Sequence, residues 1–303
     1  MRVYKKNGDR LAEVTALAPG FRGGLNVATG DFNNDGKIEI AVVPAASGGP
    51  QVQVYKYDKG KLSLMTQFTA YSGNIRGGYN LVAGDTDANG YPSIVIAPSE
   101  RTAGPEVRVF RYEKGKFNKK AAILAYGSGN RDGVNLTAVD MNRDGKDEVV
   151  AAPMNGKSNV RVYREENGKL NLLDWEMAYG SSFAGGVNLS SGDVNADRKG
   201  EIVLTPAHSG GPNLLIYRLN DRNQLEKVAS KIVYSPSLRA GYKTAVGDLN
   251  DDGTEEIAIA PTAPQTSNVQ VFTMVNNRLE KVKSFMAYAS NFRGGVNLAI
   301  GGR

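Results

Sequence analysis

Short apolar segments alternate with turns rich in glycine, proline and asparagine along the whole chain. After Gly24, residues 25–29 are short and apolar, and residues 38–44 form an almost continuous apolar run. The first segment predicts a short strand, and the second is typical of a strand buried on both faces. Residues 51–57 alternate polar and apolar side chains, which predicts a half-exposed strand, and residues 62–71 predict a fourth strand with weaker alternation. Because no segment of useful length has helical periodicity, we predict an all-β protein.

This order of four strands recurs with a period of 53–55 residues. The predicted repeats span residues 24–77, 78–132, 133–185, 186–240 and 241–294. Later second strands are predicted to end at Pro98, Pro153, Pro206 and Pro261, and fourth strands at Tyr126, Tyr179, Tyr234 and Tyr288. Four antiparallel strands in a repeat of this length favour a β-propeller over a sandwich or a barrel. We therefore expect one domain over residues 1–303 in which each repeat is a blade.

The two ends of the chain predict a sixth, composite blade. MRVYKK at the start resembles the third strands, and residues 11–17 resemble a fourth strand. Residues 295–302 resemble a first strand and stop where the next acidic loop would begin. Residues 1–23 together with 295–303 would therefore supply an incomplete blade that closes a ring of six. Two alternatives stay open: the chain is a piece of a longer protein, or the ring has seven blades.

An acidic loop lies between the first and second strands of every repeat. In the first copy, GDFNNDGKIE, oxygen-bearing side chains stand at loop positions one, three and five, glycine at six and a carboxylate at nine. The candidate metal ligands are Asp31, Asn33, Asp35, Lys37 and Glu39; Asp85, Asp87, Asn89 and Tyr91; Asp140, Asn142, Asp144, Lys146 and Glu148; Asp193, Asn195, Asp197 and Glu201; and Asp248, Asn250, Asp252, Thr254 and Glu256. The residue at position seven would contribute only its backbone carbonyl.

Oxygen atoms at alternating positions can converge on a hard cation, and Ca²⁺ takes six to eight of them. Mg²⁺ fits less well because it resists full enclosure by protein oxygens. The alternative is that these are ordinary Asp/Asn/Gly turns, and five copies at a fixed spacing argue against it. We predict up to five Ca²⁺ sites with a structural role. The second and fourth should bind more weakly, because Ser93 replaces the last carboxylate and Arg198 replaces the glycine.

The loop string DxNxDGxxE, the Ala-Pro pair after the second strand and the FRGGVNLA joints resemble FG-GAP (integrin-alpha-like) repeats, especially the bacterial type often called VCBS repeats. The resemblance extends over all five repeats. It implies a β-propeller fold, calcium in the loops, and an extracellular or cell-surface role in adhesion or recognition. A protein or glycan ligand is the expected partner.

Amino-acid composition excludes a few kinds of site but does not by itself indicate a function. The sequence has no cysteine, which excludes disulfides and thiolate metal sites. We expect no membrane span and find no signal peptide pattern in the first twenty residues. The net charge of +6 comes from lysines and arginines interleaved with acids at hairpin turns. These turns are typical of a solvated edge rather than of nucleic-acid binding, and we expect a monomer.

The sequence favours a binding or scaffold module over an enzyme. Its one histidine, His208, lies in a turn, and the abundant acids have the spacing of metal ligands. The alternatives are a propeller glycoside hydrolase or lyase, or an accessory domain of a larger secreted enzyme. Arginines before the first strands, Arg22, Arg76, Arg131, Arg239 and Arg293, are interpreted as framework residues that cap carbonyls or pair with loop acids. The variable turns after the second strands, such as AASGGP, are the better ligand candidates.

Overall fold

The computed structural model describes residues 1–5, 8–99 and 102–300. Lys6 in the predicted N-terminal strand, Asn7, Glu100 and Arg101 in a variable turn, and residues 301–303 of the predicted composite blade lie outside the described residues.

The strands follow the order of the repeats. An N-terminal pair, β1 (Arg2–Tyr4) and β2 (Arg10–Glu13), precedes five sets of four. Blade 1 contains β3 (Leu25–Gly30), β4 (Glu39–Pro44), β5 (Gln51–Asp58) and β6 (Lys61–Thr69). Blade 2 contains β7 (Tyr79–Gly84), β8 (Ser93–Pro98), β9 (Glu106–Glu113) and β10 (Lys116–Leu124). Blade 3 contains β11 (Val134–Val139), β12 (Glu148–Pro153), β13 (Asn159–Glu166) and β14 (Lys169–Met177). Blade 4 contains β15 (Val187–Gly192), β16 (Glu201–Pro206), β17 (Asn213–Leu219) and β18 (Leu225–Ile232). Blade 5 contains β19 (Tyr242–Gly247), β20 (Glu256–Pro261), β21 (Asn268–Val275) and β22 (Arg278–Met286).

Each set of four strands forms one antiparallel sheet in chain order, and β1 pairs with β2 in a sheet of two. These sheets are the blades of a β-propeller, which confirms the predicted fold class. The second strands of blades 2 to 5 are buried along their whole length, as their continuous apolar sequences predicted. No helix in the described part of the chain has the length and apolar character of a membrane span.

The predicted strand ends were wrong by one or two residues, for physical reasons. The second strand of blade 1 begins at Glu39 and not at residue 38, because Glu39 is the first residue that pairs with its neighbour, at Gly30. The fourth strands end before the tyrosines that were predicted to close them. Tyr71 instead packs inward, and its hydroxyl donates to the carbonyl oxygens of Ile96 (2.9 Å) and Glu106 (2.7 Å) of the next blade.

The chain divides into two compact units, so its organisation as one domain stays a prediction. Unit 1 comprises Met1–Leu136 and Arg164–Asn171, and unit 2 comprises Thr137–Tyr163 and Leu172–Arg303. In unit 1 a buried cluster joins the facing sides of blades 1 and 2, with Phe32, Tyr79 and Ile94 at its centre. In unit 2 an equivalent cluster joins blades 4 and 5 through Tyr242 and Phe272.

An asparagine in the first strand ties successive blades together within each unit. Asn26 donates to the carbonyl oxygen of Tyr79 at 2.7 Å, and Asn188 donates to that of Tyr242 at 2.8 Å. Because these first strands lack backbone pairing with one another, the side-chain amides supply the polar link that the backbone does not.

The C-terminal segment packs on blade 5 without forming a strand. Residues 296–300 have no ladder, and Val296, Leu298 and Ile300 contact the buried face of blade 5. Ile300 approaches Gly247 as closely as Val246 approaches Gly192 one repeat earlier. The segment therefore takes the place that a next first strand would occupy. That it shares a blade with the N-terminal strands stays a prediction.

Candidate metal centre

Each acidic loop is folded around the carboxylate of its first aspartate. In loop 1 (residues 31–39), Asp31 accepts hydrogen bonds from the backbone N–H groups of Asp35 at 3.0 Å and Gly36 at 2.8 Å. The corresponding bonds occur at Asp85 in loop 2 (residues 85–93), Asp140 in loop 3 (140–148), Asp193 in loop 4 (193–201) and Asp248 in loop 5 (248–256). The repeated motif is therefore one conformation and not only one spacing.

The backbone at loop position four is left-handed in all five copies. The residues are Asn34, Ala88, Arg143, Ala196 and Asp251, with φ from 58° to 65°. Position six is also left-handed, and it is glycine in four loops but Arg198 in loop 4, where φ is 68°. A non-glycine residue in this region is strained by about 1–3 kcal/mol. The recurrence of this strain marks the loops as built features of the fold.

The glutamate at position nine closes the loop with a buried carboxylate. Glu39, Glu148 and Glu201 are fully buried and Glu256 nearly so. One carboxylate oxygen accepts the backbone N–H of position two, at 3.0 Å from Phe32 in loop 1. The other accepts the amide of the position-three asparagine, at 3.1 Å from Asn33. A buried carboxylate with only neutral donors is costly to keep ionised, so the arrangement lacks a positive charge.

Loop 1 has the donor set that suits Ca²⁺. The ligand oxygens of Asp31, Asp35 and Glu39 lie within 4.8 Å of one another, and this is the one group of three such acids among the described residues. Asn33 Oδ1 is buried and has no hydrogen-bond partner. Buried polar oxygens are seldom left unsatisfied. The amide nitrogen of Asn33 faces Asp35 at 3.2 Å and Glu39 at 3.1 Å, so a half-turn of the amide would present Oδ1 to a cation among these acids. The residues therefore fit the calcium that the sequence predicted.

The electrostatics of two position-nine glutamates agree with a missing positive charge. Burial, reinforced by Asp35 and Asp31, raises the pKa of Glu39 above its usual value. Burial, followed by the charge of Asp197, raises the pKa of Glu201 to about 8. A divalent cation would reverse these shifts, since it favours the ionised form.

Loops 3 and 5 have the same backbone conformation as loop 1, but the side chains of their position-three asparagines face the backbone. Asn142 and Asn250 each accept a backbone N–H through Oδ1, at 3.0 Å, whereas the Oδ1 atom of Asn33 in loop 1 has no partner. At position seven, the backbone N–H groups of Lys37, Lys146 and Thr254 donate to the acid two residues earlier, and Tyr91 does so to Asn89. The carbonyl ligation expected of these four residues stays a prediction.

Loop 4 keeps the hydrogen bonds to its first aspartate although Arg198 replaces glycine. The side chain of Arg198 is exposed, and its backbone N–H still donates to Asp193 at 2.7 Å. Sequence reasoning missed Glu255 of the next repeat, whose carboxylate accepts the N–H of Asp193 at 2.8 Å. The sequence signal that could have identified Glu255 is its position directly before Glu256, the position-nine glutamate of loop 5.

Loop 2 differs in its surroundings. Ser93 is fully buried at position nine, and the Arg111 guanidinium lies 3.1 Å from the Asp87 carboxylate. Burial raises the pKa of Asp87, and Arg111 opposes that shift. Asp87 Oδ1 is buried without a hydrogen-bond partner.

The joint arginines are framework residues, as the sequence suggested. Arg22, Arg131, Arg239 and Arg293 each donate to two carbonyl oxygens of their own turn, at 2.7–3.1 Å. Of the two roles predicted for these arginines, these hydrogen bonds fit the capping of carbonyl groups and not the pairing with loop acids.

Repeats of four antiparallel strands, each with an acidic loop between its first and second strands, define a blade-repeat propeller. Residues 31–96 and 140–204 match the model of the FG-GAP-like repeat. The chain thus carries FG-GAP-like repeats, as the motif predicted. No curated protein sequence matches it.

Solved structures show the same fold at low identity. A protein from Lactobacillus plantarum is 14% identical with a TM-score of 0.60, over 86% of this chain and 70% of that one. Sqt1 of Saccharomyces cerevisiae is 12% identical with a TM-score of 0.55, over 86% of this chain and 61% of that one. A Bacteroides fragilis protein provisionally assigned as a 6-phosphogluconolactonase is 14% identical with a TM-score of 0.46, over 88% and 85%. The first two likenesses concern the fold alone, and the third, with a TM-score of 0.46, carries no argument about it.

Proposed function

We propose that this protein is a calcium-stabilised, non-catalytic β-propeller that works outside the cell as a binding, adhesion or scaffold module for a protein or glycan. The observation that carries the proposal is loop 1, where three carboxylates converge beside a buried amide oxygen that has no partner. In this proposal a cation offsets the charge of the three acids, and loop 1 has a structural role.

Calcium would be held in loop 1 by Asp31, Asn33, Asp35 and Glu39, together with the backbone carbonyl of Lys37. When bound, the ion supplies positive charge that offsets repulsion among three acids. The chain's own residues then keep the first two strands of the blade in register, since Gly30 pairs with Glu39 at the mouth of the loop. We expect a modest affinity, with a Kd of about 10⁻⁴–10⁻³ M as in extracellular calcium-binding modules, which favours a calcium-rich exterior.

The ligand surface in the proposal is formed by the turns that follow the second strands. In unit 1 a cleft of about 300 Å³ lies at the first of these turns. Framework residues Phe21 and Arg76 line it together with Ser47, Gly49 and Gln51. Mixed apolar and polar walls around a concave site are typical of ligand recognition.

His208 occupies the equivalent turn of blade 4, where it is exposed beside Ser209. Its presence on a variable turn, and not on the repeated frame, fits recognition better than acid–base chemistry.

The binding proposal is tested with a glycan array and a pull-down of surface proteins from intact cells, each in calcium-containing buffer. We expect binding in one of the two assays, and we expect Gln51→Ala combined with Ser47→Asp to weaken it. Arg10→Ala, at an exposed residue of β2 that does not line the cleft, is the matched control. Absence of binding in both assays would contradict a recognition role and leave a scaffold. Turnover of a glycan on the array would instead support the enzyme alternative.

A further inference from the structure

Loop 2 is the one acidic loop without a position-nine glutamate, and a buried arginine stands beside it. Ser93 begins β8, and the neighbouring strand β9 carries Arg111 in register with it, one step before the paired residues Ile94 and Phe110. The Arg111 side chain is only 7% exposed. In blade 1 the cross-strand partner of Glu39 is Lys56, which is exposed. The basic side chain thus turns inward in the blade whose loop has lost its carboxylate.

The guanidinium of Arg111 is bound on every side by loop 2 and by one acid from the next blade. Its Nε donates to Ser93 Oγ at 3.1 Å, and Nη2 donates to Thr86 Oγ1 at 3.1 Å. Nη1 lies 3.1 Å from Asp87 Oδ2, and Nη2 lies 3.0 Å from Glu165 Oε2. A planar guanidinium with several donors is well suited to such a site and is not readily displaced.

Glu165 completes the arrangement from β13. Its side chain is 6% exposed, and it also accepts a hydrogen bond from the Thr86 hydroxyl. A buried carboxylate needs a paired charge, and Arg111 supplies it. The pair joins two strands that are 54 residues apart in sequence, so it links neighbouring repeats by a contact internal to unit 1.

We propose that loop 2 does not take calcium because Arg111 supplies its positive charge, with Glu165 as the anchoring acid. The chain then binds at most four calcium ions, and the link around loop 2 holds without metal. Asp87 Oδ1 keeps a free bonding position, yet the fixed cation 3.1 Å from Oδ2 opposes a divalent ion at the same carboxylate. The four-ion limit rests on the proposed calcium binding of the other loops, whereas the role of Arg111 does not.

The ion count is measured on the full chain by equilibrium dialysis against calcium followed by mass-spectrometric metal analysis. Asp31→Asn and Asp85→Asn remove the same loop position from loops 1 and 2 and form a matched pair. We expect Asp31→Asn to lower the count by one and Asp85→Asn to leave it unchanged. The triple variant S93E/R111Q/E165Q should gain one ion. A loss of one ion in Asp85→Asn would overturn the proposal. If the wild-type protein retains no calcium after dialysis, the proposed function is contradicted. The role of Arg111 is then decided by the thermal unfolding experiment below.

The role of Arg111 is tested by thermal unfolding in excess chelator, with circular dichroism to verify folding. We expect Arg111→Gln to lower the melting temperature by several degrees, and Glu165→Gln added to it to restore part of the loss. Lys56→Gln, an exposed basic residue at the equivalent strand position of blade 1, is the control and should change little. An unchanged melting temperature for Arg111→Gln, or fully additive losses in the double variant, would overturn the proposal.

Discussion

Without calcium, the protein should lose stability as the pH rises, because of the buried glutamate of loop 4. Burial and then the charge of Asp197 raise the pKa of Glu201 from 4.5 to about 8. The folded protein therefore holds a proton that the unfolded chain has released. The stabilising contribution is fully present below pH 4.5 and is lost as the pH rises through about 8.

The size of the effect follows from the width of this window. Each pKa unit corresponds to about 1.36 kcal/mol, so the shift of Glu201 gives a ceiling of about 5 kcal/mol between the two pH limits. The raised pKa of Glu39 acts in the same direction. Backbone donors, led by Gly253, lower the pKa of Asp248, but the stability that this residue contributes is lost only as the pH falls below its ordinary pKa of 3.8, outside the window.

Urea unfolding of protein stripped of metal on a chelating resin, from pH 5 to 8.5, measures this dependence. We expect the free energy of unfolding to fall with pH, and Glu201→Gln to flatten the slope because glutamine does not titrate. Glu280→Gln, an exposed carboxylate on β22, is the control and should keep the wild-type slope. Saturating calcium should cancel or reverse the slope, since the ion competes with the proton. A flat profile in metal-free wild-type protein would refute the electrostatic account of the loops.

Three further substitutions test the frame, each by urea or thermal unfolding. Tyr234→Phe should cost about 1–2 kcal/mol because its hydroxyl donates to two carbonyl oxygens of the next blade, at 2.8 and 2.9 Å; a neutral result would contradict this inter-blade role. Gly78→Ala should strongly destabilise the fold, since its Cβ would lie 1.9 Å from the carbonyl oxygen of Ala45, whereas Gly73→Ala, with open space around it, serves as the control. Arg198→Gly should raise stability by about 1 kcal/mol because glycine relieves the left-handed backbone at φ 68°; lower stability would show that the arginine side chain contributes more than the strain costs.

The repeat period carried most of the fold information, because a strand order that recurs at fixed spacing constrains every blade together. The loops were found from alternate oxygen side chains, a local property of ten residues. The contacts that decide loop 2 could not be found this way. Arg111 and Glu165 resemble the charged residues of other third strands, and only the packing of two repeats brings them together. The same holds for Glu255, which reaches the preceding repeat at Asp193. The tyrosines after the fourth strands looked like strand ends because their partners also lie in another blade.

The C-terminal segment shows a different limit of the sequence pattern. Residues 295–300 have the composition of a first strand, yet they form no ladder. A first strand pairs with the second strand of its own blade, as Gly247 pairs with Glu256. Residues 296–300 have no such pairing, and Val296, Leu298 and Ile300 instead pack their side chains on blade 5.

The most direct test of the central claim compares thermal unfolding of the wild-type chain in excess calcium and in excess chelator at neutral pH. At a calcium concentration 100-fold above Kd, each occupied site adds about 2.7 kcal/mol. At about 2.1 cal/mol/K of unfolding entropy per residue, such an increment corresponds to a shift of roughly 4 °C for a chain of 303 residues. We predict a higher melting temperature in calcium and a smaller shift in Glu39→Gln, which removes one carboxylate from loop 1. Superimposable melting curves for the wild type in the two buffers would contradict the claim that the loops hold stabilising calcium.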